Sequence, residues 1–192
     1  MSKGCVDVGF LVRNFYLGDI VSTIKDSMNR MIQASGARLF QCMSTLSDEE
    51  FFKEPALGAS PAWVMGHVVN SQDYFVSRMF GRQRRFEQFE QVFRGGRSLS
   101  QADLRTYPSR NEFEVAYRKC HEQTILALQE FDMTTWDEHI PAINVGDSTY
   151  FSRGMMWEFI ARHTFYHLGQ LSSSVDRLSS SATLLYPNLT LD

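Results

Sequence analysis

Cysteine is scarce in this sequence and neither sign of charge dominates. Cys5, Cys42 and Cys120 stand far apart, with no CxxC pair. That spacing argues against a disulfide framework and a thiolate zinc site, and a reducing cytoplasm fits it best. A formal net charge of −3 gives no electrostatic case for nucleic acid as a main partner. No run of about 18 apolar residues occurs, so no membrane span is expected. The N-terminal "GCVDVGFLV" is too short for a signal peptide and carries Asp7. No internal repeat and no strong strand pattern is visible. What is present is core material: 43% hydrophobic and 13% aromatic residues in 192, enough for one domain over 1–192.

The apolar residues recur at helical steps. Ile20, Ile24, Met28, Met31, Ser35, Leu39, Met43 and Leu46 follow one another by threes and fours and predict a first helix over about 17–46. Ser47 and Glu50 have the spacing of a capping box for one short extra turn. A second helix starts at "SPAWVMGH", with Ser60 as N-cap, Pro61 at the first helical position and Gly81 as stop. Val64, His67, Ser71, Tyr74 and Arg78 share its stripe, with Trp63, Val68 and Phe75 beside it. Ser109 and Glu112 open a third helix, striped by Phe113, Tyr117, Cys120, Thr124, Ala127 and Phe131. A loop with a short extended piece near 140–145 precedes the fourth helix, over about 152–174. Met156, Ile160, His163, His167 and Leu171 share its inner face, with Phe159 and Gln170 at the edges. Four long amphipathic helices predict an all-α four-helix bundle over about 17–174, with a tail at 175–192. Helix order and handedness stay open.

The connector between helices two and three is long and basic. It carries Arg82, Arg84, Arg85, Arg94, Arg97 and Arg105 against Glu87, Glu90 and Asp103, and Gly95-Gly96 interrupts it. It reads as partly helical, with Arg82, Arg84 and Arg85 as a solvated cluster. The exposed-looking "FEQFEQVF" within it and the apolar "LLYPNLTL" of the tail point to a homodimer.

The stretch "RHTFYHLGQ" places His163 and His167 four apart, with Gln170 three further on. Side chains at that spacing lie nearly above one another. Two imidazoles so placed can share a metal ion; equally, they can be two core-edge histidines, each hydrogen-bonded to its own acceptor. Three features favour the ion. The pair lies on the apolar face, where each ring nitrogen needs a partner. His67 sits on the inward stripe of the second helix. Glu158 and Asp176 lie off the inner face of the fourth helix, so the inward polar groups are neutral nitrogen donors. Three imidazoles suit a borderline divalent cation and leave coordination positions open. His121 is an alternative ligand on the third helix, but it flanks the helix stripe, which favours a partly exposed helix histidine; His139, in a loop beside Asp137 and Glu138, reads as surface.

"SPAWVMGH" entering the second helix resembles the second-helix motif of DinB/YfiT-like proteins, and "HTFYHLGQ" resembles that family's HxxxHxxQ motif on the last bundle helix. "LSDEEF" and the approach to the last helix through Gly146 and Thr149 are similar too. The resemblance implies a bundle that binds nickel, zinc or another divalent ion through His67, His163 and His167. Some relatives are thiol S-transferases or isomerases that use a low-molecular-weight thiol such as bacillithiol or mycothiol. For this chain it suggests a metal-dependent transferase or hydrolase-like enzyme acting on a small molecule. The alternative is a non-catalytic metal- or ligand-binding bundle with a stress-related or structural role. Gln170 is the candidate to hydrogen-bond a ligand's second nitrogen or a metal-bound species; equally, it can be a plain helix-edge amide. Trp63 is a further candidate beside the site. Asp73 and Tyr166 are candidates for a base by sequence proximity alone, with Tyr166 pointing away from the ion.

Overall fold

The structure, a computed structural model, describes residues 8–53, 59–95, 106–140 and 151–178, with side chains placed from 23 to 171 within those ranges. Among the described residues there are six α-helices and no strand longer than a single bridge. Four are long: α1 (Val8–Ser44), α3 (Pro61–Phe80), α5 (Arg110–Glu130) and α6 (Arg153–Leu178). Two are short: α2 (Asp48–Phe52) and α4 (Glu90–Phe93), the latter preceded by a 3₁₀ turn at Glu87–Phe89. Helix α1 packs on α5 and α6, and α3 packs on the same two. The long helices thus run α1–α5–α3–α6 around the bundle, which fixes the order that periodicity leaves open.

The expected caps are in place. Ser47 and Ser109 each close a full capping box with Glu50 and Glu112. The Ser60 hydroxyl accepts from the Trp63 N–H with Pro61 at the first helical position, and Gly81 stops α3 in the left-handed region at φ 60°. Each such cap stabilises its helix by about 1 kcal/mol. Two helices run longer than expected, α1 beginning at Val8 and α6 continuing to Leu178. On α1 the buried stripe includes Ile32, whereas Met31 and Ile24 are each 37% exposed. The stripe of α5 is buried throughout, from Phe113 to Phe131. His139 pairs with Ser152 in one antiparallel bridge. The remainder of the expected extended piece, and the apolar tail, lie outside the described residues. No described helix is long and apolar enough to cross a membrane.

The connector departs most from expectation. Phe86, Phe89 and Phe93 are buried, and with Phe51 and Phe113 they build one end of the core. Phe93 lies 5.3 Å from Phe89 and 5.5 Å from Phe113, ring centre to ring centre. "FEQFEQVF" is therefore a core element and gives no support to a dimer. Of the three arginines expected to be a solvated cluster, Arg82 and Arg85 are exposed and Arg84 is not. Arg84 is buried to 13% side-chain exposure against the carboxylate of Asp73, at 3.2 Å, and also bonds Glu90 and the Asn70 side-chain oxygen, the latter at 2.6 Å. Arg82 pairs at the surface with Glu130 at 3.2 Å. The backbone N–H groups of Arg85 and Phe86 also donate to Asp73, at 3.0 and 3.1 Å. Asp73 is thus the anchor that folds the connector back over α3.

Candidate metal centre

That anchoring has a consequence nearly two turns away on α3. Gly66 precedes His67, and a Cβ there would meet the Phe93 ring at 2.6 Å. Only a glycine lets the connector lie this close to the helix. The close approach brings the Phe93 carbonyl to 2.7 Å from His67 Nδ1. On α6, His167 Nδ1 lies 2.7 Å from Gln170 Oε1, and the Gln170 amide nitrogen donates to the Tyr166 hydroxyl at 2.9 Å. Both Nδ1 atoms therefore face oxygen acceptors and must carry the proton. In a neutral imidazole the other nitrogen is then a bare lone pair.

Those lone pairs converge. His163 Nε2 is 3.3 Å from His67 Nε2 and 3.0 Å from His167 Nε2. The donor atoms of all three histidines lie within 4.8 Å of one another, and among the described residues this is the one group of three or more His, Cys, Asp or Glu so gathered. Donors about 2.1 Å from a common ion stand about 3.0 Å apart at octahedral angles and about 3.4 Å apart at tetrahedral ones. The two Nε2–Nε2 separations above fall in that interval. A single N–H on His163 can satisfy one of its neighbours; with His167 as that neighbour, the lone pair of His67 has only the Ser71 hydroxyl, at a long 3.4 Å. A divalent cation satisfies all three at once, so the residues present fit an ion.

The rings are held by aromatic walls. Trp63 stacks on His67 at 4.8 Å and 7° between planes, and Phe159 stacks on His163 at 5.2 Å. Phe75 stands edge-on to His163 and Tyr166 edge-on to His167. His67 and His167 are 8% and 4% exposed, while His163 is half-buried. Burial, reinforced by the neighbouring imidazoles, pushes His163 down to about 2. Burial and His67 push His167 down to about 4, against the hydrogen bond to Gln170. Burial lowers His67 also, opposed by its bond to Phe93. The cluster is neutral at pH 7, which is the state that binds a metal.

The other sequence candidates fall elsewhere. Asp73 is not available as a base, since Arg84 and two backbone amides take its oxygens. Tyr166 is 62% exposed and is joined to the cluster through Gln170. His121 lies flat against Gly36 of α1 and stacks on Tyr117, so it is a helix-contact residue. His139 is exposed. Sequence reasoning missed the Phe93 carbonyl, for which the one available signal is the glycine before His67.

An all-α bundle with a neutral three-nitrogen cluster between two of its helices defines the class. The family model of the DinB superfamily matches residues 31–171, and the chain belongs to that superfamily. A solved structure described as a conserved protein of locus from Enterococcus faecalis superposes with a TM-score of 0.67, covering 80% of this chain and 95% of that one. At 12% identity the likeness is one of fold. No curated protein matches the chain.

Proposed function

We propose that the chain binds a divalent cation, nickel or zinc, through His67, His163 and His167, and uses it as a metal-dependent transferase or hydrolase-like enzyme on a small molecule. The observation that carries the reading is the convergence of the three histidine donor atoms, with the Phe93 carbonyl and Gln170 Oε1 placed to accept from the Nδ1 atoms of His67 and His167. An ion there supplies Lewis acidity and open positions to a water molecule or a low-molecular-weight thiol. The protein's own part is to hold three neutral donors in register, to fix their tautomers through the bonds behind them, and to wall the site with Trp63, Phe75 and Phe159. The half-buried His163 leaves one side within reach of solvent.

One observation favours a second reading, a non-catalytic metal-binding bundle: the buried carboxylate nearest in sequence to His67, Asp73, is consumed by the connector. Metal analysis of protein purified without a histidine tag, followed by calorimetric titration with nickel and zinc, tests the shared part. We expect His67→Ala, His163→Ala and His167→Ala each to lower affinity by more than about tenfold, and His139→Ala to leave it unchanged. Equal affinity in His139→Ala and His67→Ala would sink the assignment. Turnover of electrophiles with thiol donors, lost in the same three variants, separates the enzyme from the passive binder.

A further inference from the structure

Ser71 lies one turn beyond His67 on α3 and is 7% exposed. Hydroxyls within helices ordinarily turn back onto a carbonyl three or four residues earlier. Ser35 does so to Ile32 at 3.1 Å, Thr124 to Cys120 at 2.9 Å and Thr164 to Ile160 at 2.9 Å. Ser71 does not. Its oxygen lies 3.4 Å from His67 Nε2, on the side where the three imidazoles meet. Because His67 Nδ1 carries the proton, Nε2 accepts and the Ser71 hydroxyl donates. The next residue, Gln72, donates to Thr164 of α6 at 3.1 Å and its oxygen lies 3.4 Å from the Thr124 hydroxyl of α5, which holds this turn of α3 in register.

A cation at the cluster takes the His67 lone pair and leaves the Ser71 proton without its acceptor. A buried hydroxyl left unpaired is costly, so it turns to another acceptor. The walls named above are aromatic, and three neutral donors leave the ion's full positive charge uncompensated, so the open position favours an anion. We infer that Ser71 is a positioning residue whose hydroxyl donates to the small anionic ligand, a thiolate or an inorganic anion of similar size, that fills that open position. This rests on the ion-binding reading above.

The test uses tag-free full-length protein loaded with cobalt(II), followed by visible absorption, with azide as the probe anion. Ser71→Ala should keep cobalt affinity within about threefold and weaken azide binding about tenfold, the usual loss for one hydrogen bond to a charged group. Ser71→Thr should restore azide binding. Ser77→Ala, a buried serine of the same helix that lines a separate cavity between α3 and α5, should match the wild type. Unchanged azide affinity in Ser71→Ala overturns the inference. A tenfold loss of cobalt affinity with azide binding to the loaded protein intact also overturns it, and makes the hydroxyl an ion ligand instead. A loss that threonine does not restore assigns the effect to packing and overturns it too. Wild-type protein that takes up no cobalt removes the ion-binding reading together with this one, whereas the other failures remove this one alone.

Discussion

Acidifying the metal-free protein from pH 7 to pH 5 should destabilise it through the histidine cluster. An unfolded histidine titrates near 6.5, so over those two units it takes up most of a proton. His163, at about 2, and His167, at about 4, stay neutral in the folded protein over the same range. The unfolded state binds more protons, and stability must fall as pH falls. Integrated across the interval, each such histidine contributes a loss of roughly 2 kcal/mol, or at most about 4 kcal/mol for the pair. His67 moves in the same direction. Set against a typical total of about 5–15 kcal/mol, that is a large fraction. His121 is also lowered by burial, so the cluster must be isolated by difference. Urea denaturation of chelator-treated protein at pH 7 and pH 5, on the wild type and on His163→Gln/His167→Gln, gives that difference. The wild type should lose about 2–4 kcal/mol more than the double variant. Parallel losses would show that the cluster is not desolvated, and would refute the reasoning.

Excess nickel or zinc adds a second, linked term. An ion held by the cluster would bind the deprotonated imidazoles of the folded state, which stay neutral down to about pH 4, so its stabilisation is present above that point and lost only as pH falls below it. The metal-induced rise in melting temperature should therefore be much the same near pH 7.5 and near pH 5. A rise that vanishes by pH 5 would mean that the ion's ligands titrate in the ordinary imidazole range and are not this buried cluster.

Two further outcomes follow from the groups behind the ligands. Gln170→Ala removes the acceptor that fixes the His167 tautomer, and should lower metal affinity about 10–100-fold by calorimetric titration with little change in melting temperature. Asp73→Ala strips the buried Arg84 of a partner, and should cost about 3–5 kcal/mol in urea denaturation. It should also weaken metal binding, because the released connector carries the Phe93 carbonyl that holds His67.

The bundle and its histidine cluster were legible because both depend on residue type at helical spacing. The capping boxes of Ser47 and Ser109, the Ser60-Pro61 start of α3 and the buried stripe of α5 needed nothing beyond local pattern. So did Gln170, which reaches His167 across one turn of a single helix. Met31 was misplaced because neighbouring positions on a long helix differ by about 100°, so Met31 and Ile32 compete for one face until the partner helices choose. The apolar spacing of Phe86, Phe89 and Phe93 was visible, but the intervening Glu87, Gln88 and Gln91 made the segment look solvated. In the structure those polar residues are the outer face of a short helical cover.

The rest of the site was hidden for a different reason. The bond that fixes His67 comes from a backbone carbonyl, and every residue has one, so no side chain announces it. What selects Phe93 is tertiary. Asp73 draws the connector down through Arg84 and two amides, the Phe93 ring settles on the bare face of Gly66, and the carbonyl arrives at Nδ1 as a result. Asp73 looked like a base because it is an acid near a histidine in sequence. Its effect on the cluster is mechanical: the carboxylate sets the position of the connector, and the connector sets the tautomer. A glycine directly before a histidine of the cluster, together with an acid one to two turns on and an arginine beyond the helix end, is the sequence trace of that arrangement.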